Sequence, residues 1–130
     1  MKDAAARGII ETVAVKAAGL RLLVLFGSRA RGDATRGSDW DLGYIASADF
    51  DVFGFLATLV RALGTDRIDL VDLERASGLI RFRAARDGIV LFEATPRAFE
   101  EFWFEAVSFW CDMAPVIRAG YEDILSGLER

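Results

Sequence analysis

Gly27 and Ser28, with Asp39 and Asp41 after an interval of ten residues, are the residues of this chain whose types and spacing can do chemistry. Side chains two apart on a strand point to the same face, so Asp39 and Asp41 would stand side by side while Trp40 turns into the core. Two adjacent carboxylates need a cation. Hard oxygen ligands in this arrangement suit Mg²⁺, which takes one or two carboxylates and completes its shell with water and substrate phosphates. Gly27 and Ser28 fall where a strand passes into a helical turn, a place where free backbone N–H groups and a missing side chain let a phosphate approach. The substrate expected is therefore a polyphosphate. Arg29, Arg31 and Arg36 share the loop and can neutralise its charge; Arg31 is the first candidate among them.

The elements that must position these residues are legible in the apolar pattern. Ile9, Ile10, Val13 and Ala17 recur at helical spacing and predict a first helix over Lys2 to Ala18, stopped by Gly19. Leu22 to Phe26 is a continuous apolar run, short enough for a buried strand that breaks at Gly27. A polar stretch from Arg29 to Ser38 reads as a short helical turn plus a loop, and Asp39 to Ala46 as a second strand. A helix over Asp49 to Leu63 is expected to bury Phe50, Phe53, Leu56, Ala57 and Val60, with Gly64 after it. Arg67 to Leu73 follows as a strand, Ser77 to Arg86 as a helix with Leu79, Ile80 and Phe82 partly buried, and Gly88 to Glu93 as a fourth strand. Thr95-Pro96 is a good N-cap and first helical residue for a last helix running toward Met113, with Pro115 bending or restarting it. The fold class expected is α/β or α+β: a small mixed sheet of about four strands with flanking helices and a C-terminal helical tail. One domain over residues 1–130, with 96–130 as a tail packed on it, is the expected organisation.

Composition removes several alternatives. The 130 residues contain no histidine, which excludes Ser-His-Asp hydrolysis and histidine-ligated metal sites. A net charge of −4 argues against direct nucleic-acid binding, which draws its affinity from Lys and Arg on phosphates. The single cysteine, Cys111, cannot form an internal disulfide, and no apolar run approaches the ~20 residues that span a bilayer. Met1 to Gly19 lacks a charged start followed by an unbroken apolar block, so a cytoplasmic location, without export or membrane insertion, is expected.

Each half of the motif has an ordinary explanation by itself: Gly-Ser after a strand is a common turn, and Asp-x-Asp a common strand edge. A buried strand, Gly-Ser, a fixed interval and Asp-x-Asp at the head of a second strand supply both halves of a metal-triphosphate site in order. In these segments the chain resembles the DNA polymerase beta-like nucleotidyltransferase superfamily. Within it, the short length, Gly27 to Gly32, Ser38 to Leu42, Ile68 to Leu73 and Arg86 to Phe92 resemble the minimal nucleotidyltransferase (MNT) antitoxins over most of the chain.

That resemblance implies a function. Such antitoxins are encoded with HEPN-domain RNase toxins, which they neutralise by transferring AMP from ATP to a toxin tyrosine. It also implies a third carboxylate on the third strand, where Asp69 is the matching position; Asp72 has the opposite parity and Asp66 falls in the turn. The implied mechanism is in-line displacement at the α-phosphorus of ATP with two Mg²⁺ ions, Asp39 and Asp41 bridging both and Asp69 holding the one that activates the acceptor hydroxyl. Gly27, Ser28 and Arg31 would hold the nucleotide. The partner implied is the HEPN toxin, in a hetero-oligomer.

The last helix carries Phe99, Phe102, Trp103, Ala106, Trp110 and Met113 on one stripe, expected to be core. Phe104 and Phe109 fall off that stripe and suit either a docking surface or burial under another local element. From Glu93 to Arg130 eight acids stand against three arginines, which favours a basic partner if this region is exposed. Two readings compete with the enzyme: an antitoxin that blocks its toxin by occupancy alone, and a small-molecule nucleotidyltransferase. The first has no use for two repelling carboxylates, and the second ordinarily needs a further domain.

Overall fold

A computed structural model of the chain describes residues 3–128; Met1, Lys2, Glu129 and Arg130, and with them the expected start of the first helix at Lys2, lie outside the described residues. The elements run α1 (Asp3–Val15), β1 (Leu20–Phe26), α2 (Ser28–Arg31), β2 (Trp40–Ala46), α3 (Val52–Leu63), β3 (Ile68–Asp72), α4 (Gly78–Asp87), β4 (Ile89–Glu93) and α5 (Ala98–Leu128). The four strands form one sheet in the order β3-β2-β1-β4. β1 is antiparallel to both β2 and β4, and β2 is parallel to β3, which makes the sheet mixed.

β1 is central because its side chains are apolar on both faces. Leu23 and Leu25 pack with Ala6, Ile10 and Ala14 of α1 and Phe55 and Leu59 of α3. Leu22, Val24 and Phe26 face the other way, against Ala84 and Ala85 of α4 and Phe102 and Ala106 of α5. Leu22, Leu23, Val24 and Leu25 are all fully buried, each contributing about 1.5–3 kcal/mol of transfer free energy. Helices therefore cover both faces of the sheet, α1 and α3 on one and α4 and α5 on the other.

The third helix corrects the expected face. Asp51 caps it, its carboxylate accepting the Gly54 N–H at 3.0 Å, so Phe50 stands outside the helix and packs at a tilt against Tyr44 and Phe55 instead. The buried positions become Phe55 and Leu59, four apart, and Phe53 is 81% exposed. In α4 the core-facing residues are the small Ala84 and Ala85, while Ile80 and Phe82 are half-buried and Leu79 is exposed. Small residues there let the helix lie close to β1.

The last helix also differs from expectation at its start. Thr95-Pro96 forms a turn before it, Ala98 N–H returning to the Thr95 carbonyl, and the Phe99 N–H is taken by the Glu93 carboxylate at 2.9 Å. α5 then continues through Pro115 as one element of 31 residues. Its buried stripe is narrower than the sequence implied: Phe102 and Ala106 are buried and Trp110 stacks on Phe82, whereas Trp103 and Met113 are exposed. Phe104 and Phe109 are exposed too, with the Phe109 ring lying against Gly78.

Candidate active site

β1 ends at Phe26, whose register partner on β2 is Asp41, and Asp41 is in turn the register partner of Asp69 on β3. Strand parity sends Trp40 and Leu42 into the core under α1 and α3, so Asp41 turns to the sheet face that α4 covers. Asp69 stands beside Asp41 across one strand spacing, ~4.8 Å between backbones. Asp39 lies two residues before Asp41, just outside β2, and is exposed. Asp72, three residues past Asp69, instead accepts the Glu74 N–H at 2.9 Å and pairs in register with Tyr44.

Gly27 closes the strand with φ 74° and ψ −159°, a conformation open essentially to glycine alone. The site dictates this choice in a second way. A Cβ on Gly27 would collide with Asp41 Oδ2 and stand 3.0 Å from its Cγ, so glycine is what lets the strand end and the carboxylate share the space. The Ala30 and Arg31 N–H groups both return to the Gly27 carbonyl at 3.1 Å. Those of Ser28 and Arg29 begin the turn, where helical carbonyls do not reach. Gly32, left-handed at φ 84°, ends it.

The three loop arginines separate cleanly. Arg29 is sequestered: it donates to the Ser38 carbonyl at 2.8 Å and to Asp3 at 2.8 Å, and its guanidinium lies 4.3 Å from the Trp40 ring centre. Arg36 lines a different hollow, beside Asp3 and Trp40. Arg31 alone of the three reaches the cleft that holds Asp41 and Asp69, a space of about 740 Å³ also bordered by Gly27, Ser28, Ser77, Ile80, Arg83, Arg86 and Asp87. Sequence reasoning did not place the α4 residues at the site: Arg86 to Phe92 entered only through the resemblance, and nothing local shows that α4 brings Arg83, Arg86 and Asp87 to the cleft.

Charge in the cleft is concentrated at Asp41. Burial pushes its carboxyl up from 3.8, the Asp69 and Asp39 charges push it further in the same direction, and Arg31 opposes them. Asp87 moves the other way: its hydrogen bonds from Arg86, reinforced by Arg31, hold its carboxyl below the usual carboxylate range. Asp41 thus has two like-charged neighbours, Asp69, which borders the cleft with it, and Asp39, which does not, and a divalent cation would relieve that repulsion. Among the described residues no group of three or more acidic, His or Cys side chains closes into a ready cage. A site that Mg²⁺ shares with substrate phosphates and water, on one or two carboxylates, has this open form.

A Gly-Ser turn at the end of a buried strand, an aspartate pressed against that glycine and a second aspartate level with it on the neighbouring strand define the class as a nucleotidyltransferase. Residues 9–97 match the family described as Polymerase beta, Nucleotidyltransferase, and the chain belongs to that family. The match ends at the residue before α5 begins. The chain is 33% identical over 124 residues to the protein adenylyltransferase MntA of Aphanizomenon flos-aquae (strain 2012/KM1/D3), covering 85% of this chain and 82% of that protein. Its fold is similar to that of a toxin-antitoxin crystal structure with AMP-PNP, at a TM-score of 0.76 and 27% identity over 92% of this chain and 98% of the other. A MntA-HpeT toxin-antitoxin structure with two aspartates changed to glutamate matches at the same TM-score of 0.76, with 25% identity over 92% and 98% of the two chains. No helix among the described residues is long and apolar enough to cross a membrane.

Proposed function

We propose that this protein is an antitoxin that transfers AMP from ATP to a tyrosine hydroxyl of a HEPN-type RNase toxin, with which it assembles, in the cytoplasm. The observation that carries the reading is the contact of Gly27 with Asp41, level with Asp69, in a cleft bordered by arginines. The likeness to a protein adenylyltransferase and to a toxin-antitoxin structure with an ATP analogue supports it.

On this reading Asp39, Asp41 and Asp69 would hold Mg²⁺, two ions by what the resemblance implies. Bound there, Mg²⁺ would neutralise triphosphate charge and lower the pKa of the acceptor hydroxyl. The N–H groups at Gly27-Ser28 seat a phosphate and Arg31 offsets its charge. The tyrosine oxygen forms a bond to the α-phosphorus as the bond to the bridging oxygen breaks. Pyrophosphate leaves, and Asp69 takes the hydroxyl proton. Histidine is not needed for any of these roles.

Intact mass spectrometry of the candidate toxin, incubated with this protein, ATP and Mg²⁺, tests the proposal beside an Asp39→Ala/Asp41→Ala variant. Mass gains in AMP units with the wild type alone are expected. Equal loss of toxin activity with both proteins and no added mass would mean neutralisation by occupancy and would overturn the transfer mechanism.

A further inference from the structure

Three guanidiniums border the cleft, from Arg31, Arg83 and Arg86, and two of them meet on one carboxylate. Arg86 donates to Asp87 from Nε to Oδ1 at 3.0 Å and from a terminal nitrogen to Oδ2 at 2.9 Å. An Arg31 terminal nitrogen lies 3.5 Å from the same Oδ2, while its Nε donates to Asp33 at 3.3 Å. Arg31 belongs to α2 and Arg86 to α4, so Asp87 joins two walls of the cleft. Its side chain is 11% exposed against 43% for Arg31 and 53% for Arg86. The carboxylate is sunk, and the cations it holds remain open to the cleft.

Helix stability does not explain an acid here. Asp87 is the last residue of α4, where the negative end of the helix dipole disfavours a carboxylate. Gly88, next in the chain, is wedged against Val24 and Phe99, where a Cβ would stand 2.6 Å and 3.2 Å from their side chains, so packing holds the base of Asp87 in place.

We propose that Asp87 is a positioning residue for the nucleotide: it holds Arg31 and Arg86 as a pair turned to the triphosphate, across the cleft from Asp41 and Asp69. This rests on the nucleotidyl-transfer reading above. Arg83, with no carboxylate within ion-pair distance among the described residues, adds a third cation on the same wall.

The test uses the full chain with its toxin and Mg-ATP. Asp87→Asn keeps the size of the side chain and removes its charge; KM for ATP should rise roughly tenfold and kcat fall less than KM rises, with at most a small fall in the thermal midpoint, because the lost ion pairs to Arg86 and Arg31 are partly offset by relief at the helix C-terminus. In an Arg31→Ala/Arg86→Ala background the same change should cost less than about twofold, because the residues it acts through are gone. A wild-type KM in Asp87→Asn, or an undiminished loss in that background, would overturn the proposal. So would a large fall in the midpoint with KM and kcat equally impaired, which marks a structural role. Wild-type protein that neither binds Mg-ATP nor transfers AMP would sink the transfer reading as well, whereas an active wild type with an indifferent Asp87→Asn removes this inference alone.

Discussion

The Asp41 carboxylate occupies the volume that a side chain on Gly27 would need, and Gly27 has a positive φ besides. Gly27→Ala must therefore displace the carboxylate or the strand end. Transfer activity is expected to fall by roughly 100-fold or more, since misplacing a reacting constellation by an ångström costs that much. Stability should drop by about 1–3 kcal/mol from the strained backbone. Steady-state AMP transfer and urea denaturation read the two effects separately, and an alanine variant with near-normal turnover would count against the site.

Asp69 and Asp72 lie on one short strand but on opposite faces. Asp69→Asn should reduce transfer at least roughly 100-fold with the fold intact, as loss of a group acting in the transition state does. Asp72→Asn should leave turnover within about threefold, because Asp72 faces Tyr44 and the Glu74 N–H. A reversed order of the two variants would move the third carboxylate to Asp72.

Ionising Asp41 costs the fold stability. Its folded-state pKa is raised above 3.8 by burial and by Asp69 and Asp39, so as pH rises from 3.8 the unfolded chain gives up its proton first. Stability relative to an Asp41→Asn variant therefore declines as pH rises through that window, and the deficit is complete above the folded pKa. At neutral pH without divalent ions Asp41→Asn should melt higher than wild type, by on the order of 3 °C, while losing transfer activity. Mg²⁺ should raise the wild-type midpoint more than the variant's, and calorimetry with and without Mg²⁺ decides it.

Phe102 anchors α5 to the sheet face that carries the site: it is buried in the cluster of Leu22, Val24, Phe26 and Ala84, under the Arg81 guanidinium. Phe102→Ala should cost about 3–5 kcal/mol of stability. Phe104→Ala, at an exposed position on the same helix, should change stability by less than about 0.5 kcal/mol. Chemical denaturation of both variants measures the contrast.

The order of elements and the Gly27, Ser28, Asp39, Asp41 segment were legible in the amino-acid order itself. A continuous apolar run as short as Leu22 to Phe26 suits a strand buried on both faces, and Gly27-Ser28 at its end breaks it. Helix phase was less legible. Phe53 and Phe55 are equally apolar, and the Asp51 cap, which sets where α3 begins, decides which of them meets the sheet. Trp103 and Phe102 are neighbours for which the position of α4 decides burial.

What the chain order determined is therefore local: strand, turn, acid pair and parity, all set by backbone geometry and side-chain period. Tertiary packing alone decided the rest. Sheet order brought Asp69 level with Asp41, the crossing of α4 brought Arg83, Arg86 and Asp87 over the cleft, and Arg29 was drawn away to Trp40 and Ser38 while Arg31 was left facing in. Arg29 and its partners aside, these residues are tens of positions apart in the chain, and no local propensity encodes a contact whose existence depends on how whole elements pack.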